Sequence, residues 1–443
     1  MAIVRKTWPG GAHPPLYGVA IWPLHLETSL WPIVFAQGLV LSHLILTVLQ
    51  KIDAIAGGTA TLAVLAGLAA FTPLSWYTSF VMPDVFAGVL ILSLFLLEFC
   101  GQRLSLLQKV YFVVLVAFCI NIHLSHFPIA IAILGATFLL RALAGSRKGV
   151  ARPGLGLASV MLAVCVSLTI SWKLWGGISQ VPNASPILLA RVLTDGPGKD
   201  YLDAECGRQR FVLCGYRNKL HGSEEDFLYM PDSPLYVSGR MKQIKAEAMP
   251  IVLGSFEMFP LRTIRDAIRQ WVLQASSFLM DAPPIESVPG AERKGLLRRF
   301  ERSLPFAWRG YQGTRQQQGE LERQGLVLFN SLQRGVVLAS AAALAWLLRG
   351  FVRSGNLRMV QFIVVLTTGV LANAFVAGVF SGVFDRYQGR VIWLVPFGAV
   401  AAGLSAWQAR NRGPRPSAPS GRPREQAAAA ASAVPAAVKL RSA

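Results

Sequence analysis

Charge is what this sequence has least of. Of its 443 residues only 15% are Asp, Glu, Lys or Arg, while 53% are hydrophobic. An average soluble domain carries roughly a quarter charged residues. Acids are the scarcer sign, 23 against 43 Lys and Arg, and 17 of those 23 fall in the segment 178–335. The remainder of the chain is too poor in charge to form a soluble globular surface. A charged-then-apolar signal peptide is also missing from the front of the chain. No internal repeat is visible, which removes support for an inverted-repeat transporter. The hydrophobic stretches are nearly free of ionisable residues at their centres, where a transporter would be expected to carry them.

What fills the chain instead is apolar sequence. Residues 30–50, 58–74, 84–99, 105–122, 124–143, 156–173, 335–352, 359–383 and 391–408 each read as a hydrophobic stretch. Several approach the ~20 residues needed to cross a bilayer. A bilayer core offers the backbone no water, so such segments must be helical. The expected fold is therefore all-α and polytopic, with about nine transmembrane helices and a helix-rich extracytoplasmic insertion. The expected divisions are 1–177 (N-terminal transmembrane region), 178–334 (extracytoplasmic domain), 335–408 (C-terminal transmembrane helices) and 409–443 (a disordered basic cytoplasmic tail).

The net charge of +20 is distributed by topology. The segment 178–335 holds 21 basic and 17 acidic residues, a nearly balanced surface, and the tail 409–443 holds seven basic residues and one acid. Nucleic-acid binding is not implied; membrane lipids are the expected contact of the tail. Alternate loops carry Lys51; Arg103 and Lys109; Arg141, Arg147, Lys148 and Arg152; and Arg349, Arg353 and Arg358. The intervening turns 75–83, 121–126 and 384–390 carry only Arg386 and Arg390. The positive-inside rule puts the first set in the cytoplasm, and the insertion on the periplasmic face of an inner (plasma) membrane. The N-terminus would then lie outside with nothing ahead of it to export it, so a further helix upstream of Met1 is expected.

Within the insertion, Cys206 and Cys214 lie eight positions apart in what would be an oxidising compartment, and a disulfide is expected between them. Ser185-Pro186 reads as a helix start. Over 261–272, Leu261, Ile264, Ile268, Trp271 and Val272 share one helical face opposite Arg262, Arg265, Asp266 and Arg269. That apolar face either packs on the domain core, the expected outcome, or lies on the membrane surface. Residues 281–290 read as a Pro-rich loop.

The polar motifs sort onto the outer side. They are His13-Pro14-Pro15-Leu16-Tyr17 ahead of the first stretch, Met82-Pro83-Asp84 opening another, Asn121, His123 and His126 in a turn, and Asp385-Arg386-Tyr387-Gln388-Gly389-Arg390 opening the last. Asp84 also fits a plain helix N-cap. His123 and His126 fit hydrogen bonding better than metal, because a third ligand is not adjacent. Cofactors are therefore expected to be none, a divalent metal lacking ligands. Arg386 and Arg390, four apart, share a helix face and suit a phosphate; headgroup snorkelling or an ion pair with Asp385 is the alternative. Asn373, mid-helix, suits an interhelical hydrogen bond.

The run from His13 to Tyr17, the Met82-Pro83-Asp84 step and the Arg386-Tyr387 helix opening resemble GT-C glycosyltransferases of the protein O-mannosyltransferase-like and aminoarabinose transferase-like branches. The resemblance covers roughly residues 10–143 and, loosely, 335–408. It implies a polyprenyl-phosphate-linked sugar as donor and partner, with transfer of the sugar on the outer face. Because these polar clusters fall on one side by the charge rules, substrate contacts are expected at His13, Tyr17, His123, His126, Arg386, Tyr387 and Arg390, with Asp84, His123, His126, Arg386 and Arg390 lining one cavity at the outer membrane boundary. The family's base is an acid in the first outer loop, and residues 1–26 contain none. Asp84 is the fallback catalytic residue, with positioning as its other role. The competing expectation is a non-enzymatic lipid or polysaccharide carrier, or an assembly partner, on the same scaffold.

Overall fold

The structure, a computed structural model, describes residues 14–55, 58–144, 154–175, 185–220, 222–281, 297–298, 300–302, 304–321 and 325–411. His13, most of the Pro-rich 281–290 stretch and the tail beyond Asn411 lie outside the described residues. Among the described residues there is no strand. The first group of helices is α1 (Leu16–His25), α2 (Trp31–Lys51), α3 (Gly58–Phe71), α4 (Leu74–Ser79), α5 (Phe86–Phe99), α6 (Leu106–Ile122), α7 (His126–Ala144) and α8 (Leu155–Trp175). The insertion folds as α9 (Ser185–Asp195), α10 (Pro197–Glu205), α11 (Glu224–Tyr229), α12 (Pro234–Val237), α13 (Met241–Met258), α14 (Pro260–Ser276) and α15 (Pro305–Gln312). The chain returns through α16 (Leu326–Arg353), α17 (Leu357–Phe380), α18 (Asp385–Ile392) and α19 (Leu394–Asn411).

Six helical lengths are long and apolar enough to cross a membrane: Trp31–Lys51, His126–Leu143, Leu155–Lys173, Leu326–Arg353, Leu357–Phe380 and Asp385–Asn411. By length and composition the chain is a multi-pass membrane protein. The count of nine spans expected from hydropathy is not confirmed by helix length. Gly58–Phe71 has 14 residues, Leu106–Ile122 has 17 and Phe86–Phe99 has 14. At about 1.5 Å per residue each falls short of a bilayer core of about 30 Å. α5 lies inside the bundle: Phe86 through Glu98 are all buried. A helix that is apolar all round belongs inside a protein as readily as inside a membrane. Glycines let neighbours close on it: a Cβ on Gly88 would lie 2.5 Å from the Trp393 ring, and one on Gly369 of α17 would lie 2.7 Å from Ile91.

One end of the bundle gathers the basic loops. The Asp53 carboxylate accepts from Arg103 at 2.7 Å and from Arg358 at 3.0 Å, and Lys51 Nζ donates to the Arg103 carbonyl at 2.8 Å. At the same end of α5, buried Glu98 pairs with Arg141 and accepts the Gly156 backbone N–H at 2.9 Å. Glu98 stands in a run that hydropathy treats as uncharged, and its pairing with Arg141 is what makes its burial tolerable. These contacts bring α2, α5, α7, α8 and α17 into register, and they fix that the residues at the other ends of α5 and α17 meet each other.

The insertion has a hydrophobic core of its own, including Leu189, Leu202, Leu213, Ile244, Ala248 and Ile251. The Cys206–Cys214 disulfide is formed, with Cα atoms 5.6 Å apart. The helix start at Ser185 is present, and a capping box between Ser223 and Asp226 opens α11. The amphipathic helix expected over 261–272 is present as α14, but its faces are reversed from the core-packed expectation. Its polar face turns inward: Arg262 pairs with Asp200, Gln270 Nε2 donates to Asp195 at 3.0 Å, and Asp266 and Gln274 are buried. Leu261, Ile264, Ile268 and Val272 are exposed.

Candidate functional site

Four elements meet at the end of the bundle away from the basic loops: the start of α5, the α6–α7 turn, the second half of α17, and α18. Met82-Pro83-Asp84 forms a 3-10 turn, Pro83–Val85, that leads into α5. No side chain caps this turn or α5, so Asp84 is not a simple N-cap. Its Oδ1 instead accepts from Arg390 Nη1 at 3.2 Å, with Asp84 1% and Arg390 0% exposed.

Arg390 is fully engaged by the protein. Nη1 also meets His123 Nε2 at 3.2 Å, Nη2 donates to Ser125 Oγ at 2.8 Å and to Asn373 Oδ1 at 2.9 Å, and Nε donates to Asn373 Oδ1 at 3.2 Å. A guanidinium has five N–H groups and no acceptor, so His123 must accept at Nε2. Its Nδ1 lies 2.8 Å from Ser125 Oγ and 3.2 Å from the Ser125 backbone N. Asn373 is the hub: its Nδ2 donates to the Tyr387 carbonyl at 2.6 Å and to Gln388 Oε1 at 2.9 Å. A buried ion pair is sound only when its remaining hydrogen-bonding capacity is filled, and here the α6–α7 turn and α17 fill that of Arg390.

His126 stacks on His123 with ring centroids 5.0 Å apart. Its Nδ1 lies 2.6 Å from the Cys119 carbonyl, while Nε2 is buried without a partner. Among the described residues no group of three or more His, Cys, Asp or Glu side chains is arranged to hold a metal ion.

Arg386 sits one turn before Arg390 and is only half-buried. Its guanidinium lies 5.3 Å from the centre of the Tyr387 ring, and its Nε is buried with no hydrogen-bond partner. The Tyr387 ring thus stands between the two arginines, 5.6 Å from Arg390. Tyr77 of α4 closes the other side. A Cβ on Gly389 would fall 2.3 Å from the Tyr77 hydroxyl, so only glycine admits this approach. Burial raises the Tyr77 phenol above its ordinary pKa, with the Asp281, Asp84 and Asp385 carboxylates adding to it and Arg386 opposing. Burial likewise raises Tyr229, on α11 of the insertion, with Arg386 again opposing. Arg386 therefore lies where the bundle end meets the insertion.

Tyr17 is nearby but serves the frame. Its hydroxyl donates to Gln37 Oε1 at 2.7 Å, and Gln37 Nε2 donates to the Thr78 and Phe80 carbonyls at 2.8 and 2.9 Å. This holds the loop ahead of Pro83. The structure thus brings Asp84, His123, His126, Arg386, Tyr387 and Arg390 into one cluster, with Tyr17 bracing it from behind.

Sequence reading missed the strap that joins the insertion to this cluster. Gln274 of α14 clasps Phe384 with both amide atoms, donating to its carbonyl at 2.9 Å and accepting from its N–H at 3.0 Å. The chain then runs extended under side-chain control. Phe278 O accepts from Gln333 at 2.8 Å, Leu279 N donates to Asp385 Oδ1 at 2.8 Å, and Met280 exchanges both backbone bonds with Asn330 at 2.9 Å. Met280 packs beside Trp76, and the strap delivers Asp281, which is solvent-exposed, next to Tyr77. Lone Gln and Asn residues carry no periodic signal, so only the fold exposes these bonds. Ser125 had a weak signal, lying between the two histidines.

Comparison with family models, with curated protein sequences and with solved structures finds no match to this chain.

Proposed function

We propose that this protein binds a polyprenyl-phosphate-linked sugar at the membrane boundary, with Arg386 as the phosphate contact, and transfers the sugar to an acceptor on the extracytoplasmic face. The observation that carries the reading is the division of labour between two arginines on one turn. Arg390 is neutralised by Asp84 and filled by Asn373, Ser125 and His123. Arg386 keeps a buried N–H without an acceptor beside an aromatic wall. A planar guanidinium held this way suits a phosphate oxygen. The stabilised charge would be that developing on the lipid phosphate as the sugar leaves. The likeness of the Met82-Pro83-Asp84 and Arg386-Tyr387 steps to GT-C glycosyltransferases points the same way, as does an insertion seated over the site.

In this reading Asp84 positions Arg390 and does not take the acceptor proton, because it is buried and already paired. General-base catalysis needs a carboxylate within reach of the acceptor, and the exposed Asp281 is the one assigned to it. The burial of Asp84 also favours a second reading, a lipid-phosphate carrier or assembly partner that performs no transfer. Two measurements separate these. Binding of undecaprenyl phosphate to the purified protein should weaken at least tenfold in Arg386→Ala; equal binding removes the phosphate role from both readings. Release of undecaprenyl phosphate from its glucose-linked form, in membranes holding the cell's own acceptors, should require Asp281. Binding without any release selects the carrier.

A further inference from the structure

The reversed helix α14 carries an inference independent of the chemistry at Arg386. A helix in a soluble domain buries its apolar stripe. Here Leu261 is 82% and Val272 61% exposed, with Ile264 and Ile268 exposed between them. On a helical wheel these four lie within an arc of about 80°, and Arg265 and Arg269, both exposed, border one edge of it. The face turned to the protein is the polar one, held by Arg262–Asp200, Gln270–Asp195 and the Gln274–Phe384 clasp. An apolar stripe edged by cations, on a helix anchored through its polar face, is the pattern of a helix lying in a membrane interface.

The occupant of that stripe is set by continuity. Trp271 Nε1 donates to the Leu371 carbonyl of α17 at 3.0 Å, and its ring packs edge-on against Phe375. The Gln270 carbonyl would lie 2.6 Å from a Cβ on Gly378, so the two helices touch through a glycine. Leu371 and Phe375 are themselves exposed on a membrane-length helix. Leu371 lies nine residues before the end of that helix at Phe380, about 13 Å along it at 1.5 Å per residue. Trp271 therefore lies well inside the end of a span-length helix, and the exposed stripe of α14 adjoins the exposed apolar face of that helix. The second half of α13 adds Leu253 and Phe256, also exposed.

We infer that α14 is a membrane-embedded amphipathic helix packed on α17, whose Leu261–Val272 stripe faces lipid, and which through Gln274 holds Phe384 and the Arg386 helix at the end of the bundle. The partner is lipid acyl chain, with Arg265 and Arg269 reaching back toward headgroups.

The test uses the full-length protein in lipid nanodiscs. The exposed Cys165 is changed to Ser, and single cysteines are placed by Ile264→Cys, Ile268→Cys and Val272→Cys and labelled with an environment-sensitive fluorophore. Leu338→Cys on α16 is the lipid-facing reference and Lys219→Cys the aqueous one. Spin-labelled lipid should quench the three α14 sites as strongly as the α16 site, and a water-soluble nickel chelate should quench them at least threefold less than the Lys219 site. Strong quenching by the chelate overturns the inference in favour of water, and quenching by neither overturns it in favour of a covering protein. Variants that elute as wild type and keep the Cys206–Cys214 bond are scored, so misfolding does not enter the comparison.

Discussion

Removing the Asp84 carboxylate should be among the most damaging single changes in this protein. In Asp84→Ala the Arg390 guanidinium stays in place, 0% exposed, with only the neutral groups of Asn373, Ser125 and His123 around it. Breaking one side of a buried pair typically costs about 3–5 kcal/mol, because a desolvated charge is left uncompensated. At about 1.4 kcal/mol per factor of ten, the folded population shifts by more than a hundredfold. Arg390→Met leaves the buried Asp84 carboxylate uncompensated in its turn and also strands the Asn373 and Ser125 oxygens, each worth about 1–3 kcal/mol when left unsatisfied. The double variant should therefore be much less harmful than the sum of its parts. A coupling of about 2–3 kcal/mol is expected, at the top of the usual range for contacting residues. The assay is unfolding in mixed micelles, followed by the fluorescence of the eleven tryptophans. A cost below about 1 kcal/mol for Asp84→Ala, with no coupling, is what a hydrated surface pair gives. That result would refute the buried network as the frame of the site.

Three further outcomes are expected. Replacing Cys206 and Cys214 by Ala opens an eight-residue separation, which should destabilise the insertion by about 2–3 kcal/mol on the loop-entropy model, and non-reducing mass spectrometry should show the linked peptides in the native protein. Gly389→Ala should drive a methyl group into the Tyr77 ring, costing about 1–3 kcal/mol by overpacking and weakening binding of undecaprenyl phosphate; wild-type binding would show that Tyr77 moves freely. Reporter fusions at residues 230 and 430 should give opposite signals, and matching signals would refute the topology drawn from the basic loops.

The polar residues of the site were legible one at a time. Asp84, His123, Arg386 and Arg390 stand out because so little else in the apolar chain is polar, and Asn373 stood out for the same reason. Their pairing was not legible: Asp84 and Arg390 are 306 positions apart, and nothing local says that α5 and α18 meet. Hydropathy alone does not say whether α5 is buried by protein or by lipid, since both demand the same residues. Periodicity identified α14 as amphipathic, but its apolar face is exposed and not buried in the insertion's core. In a soluble domain only the core accepts such a face, whereas beside a bilayer the lipid accepts it too. The strap from Phe278 to Met280 was invisible because isolated Gln, Asn and Asp side chains make its bonds across 50 to 106 positions.

The central claim is that Arg386 recognises a lipid phosphate, and ligand and residue can be varied together to test it. Undecaprenyl phosphate and undecaprenol differ only in the phosphate. Their binding to purified wild type, Arg386→Ala and Arg386→Lys in nanodiscs gives a discrimination factor for each. A charge-assisted hydrogen bond of about 1.5–3 kcal/mol corresponds to roughly ten- to a hundredfold. Wild type should prefer the phosphate by at least tenfold, Arg386→Lys should keep part of that preference, and Arg386→Ala should bind both lipids alike. An unchanged preference in Arg386→Ala would contradict the account.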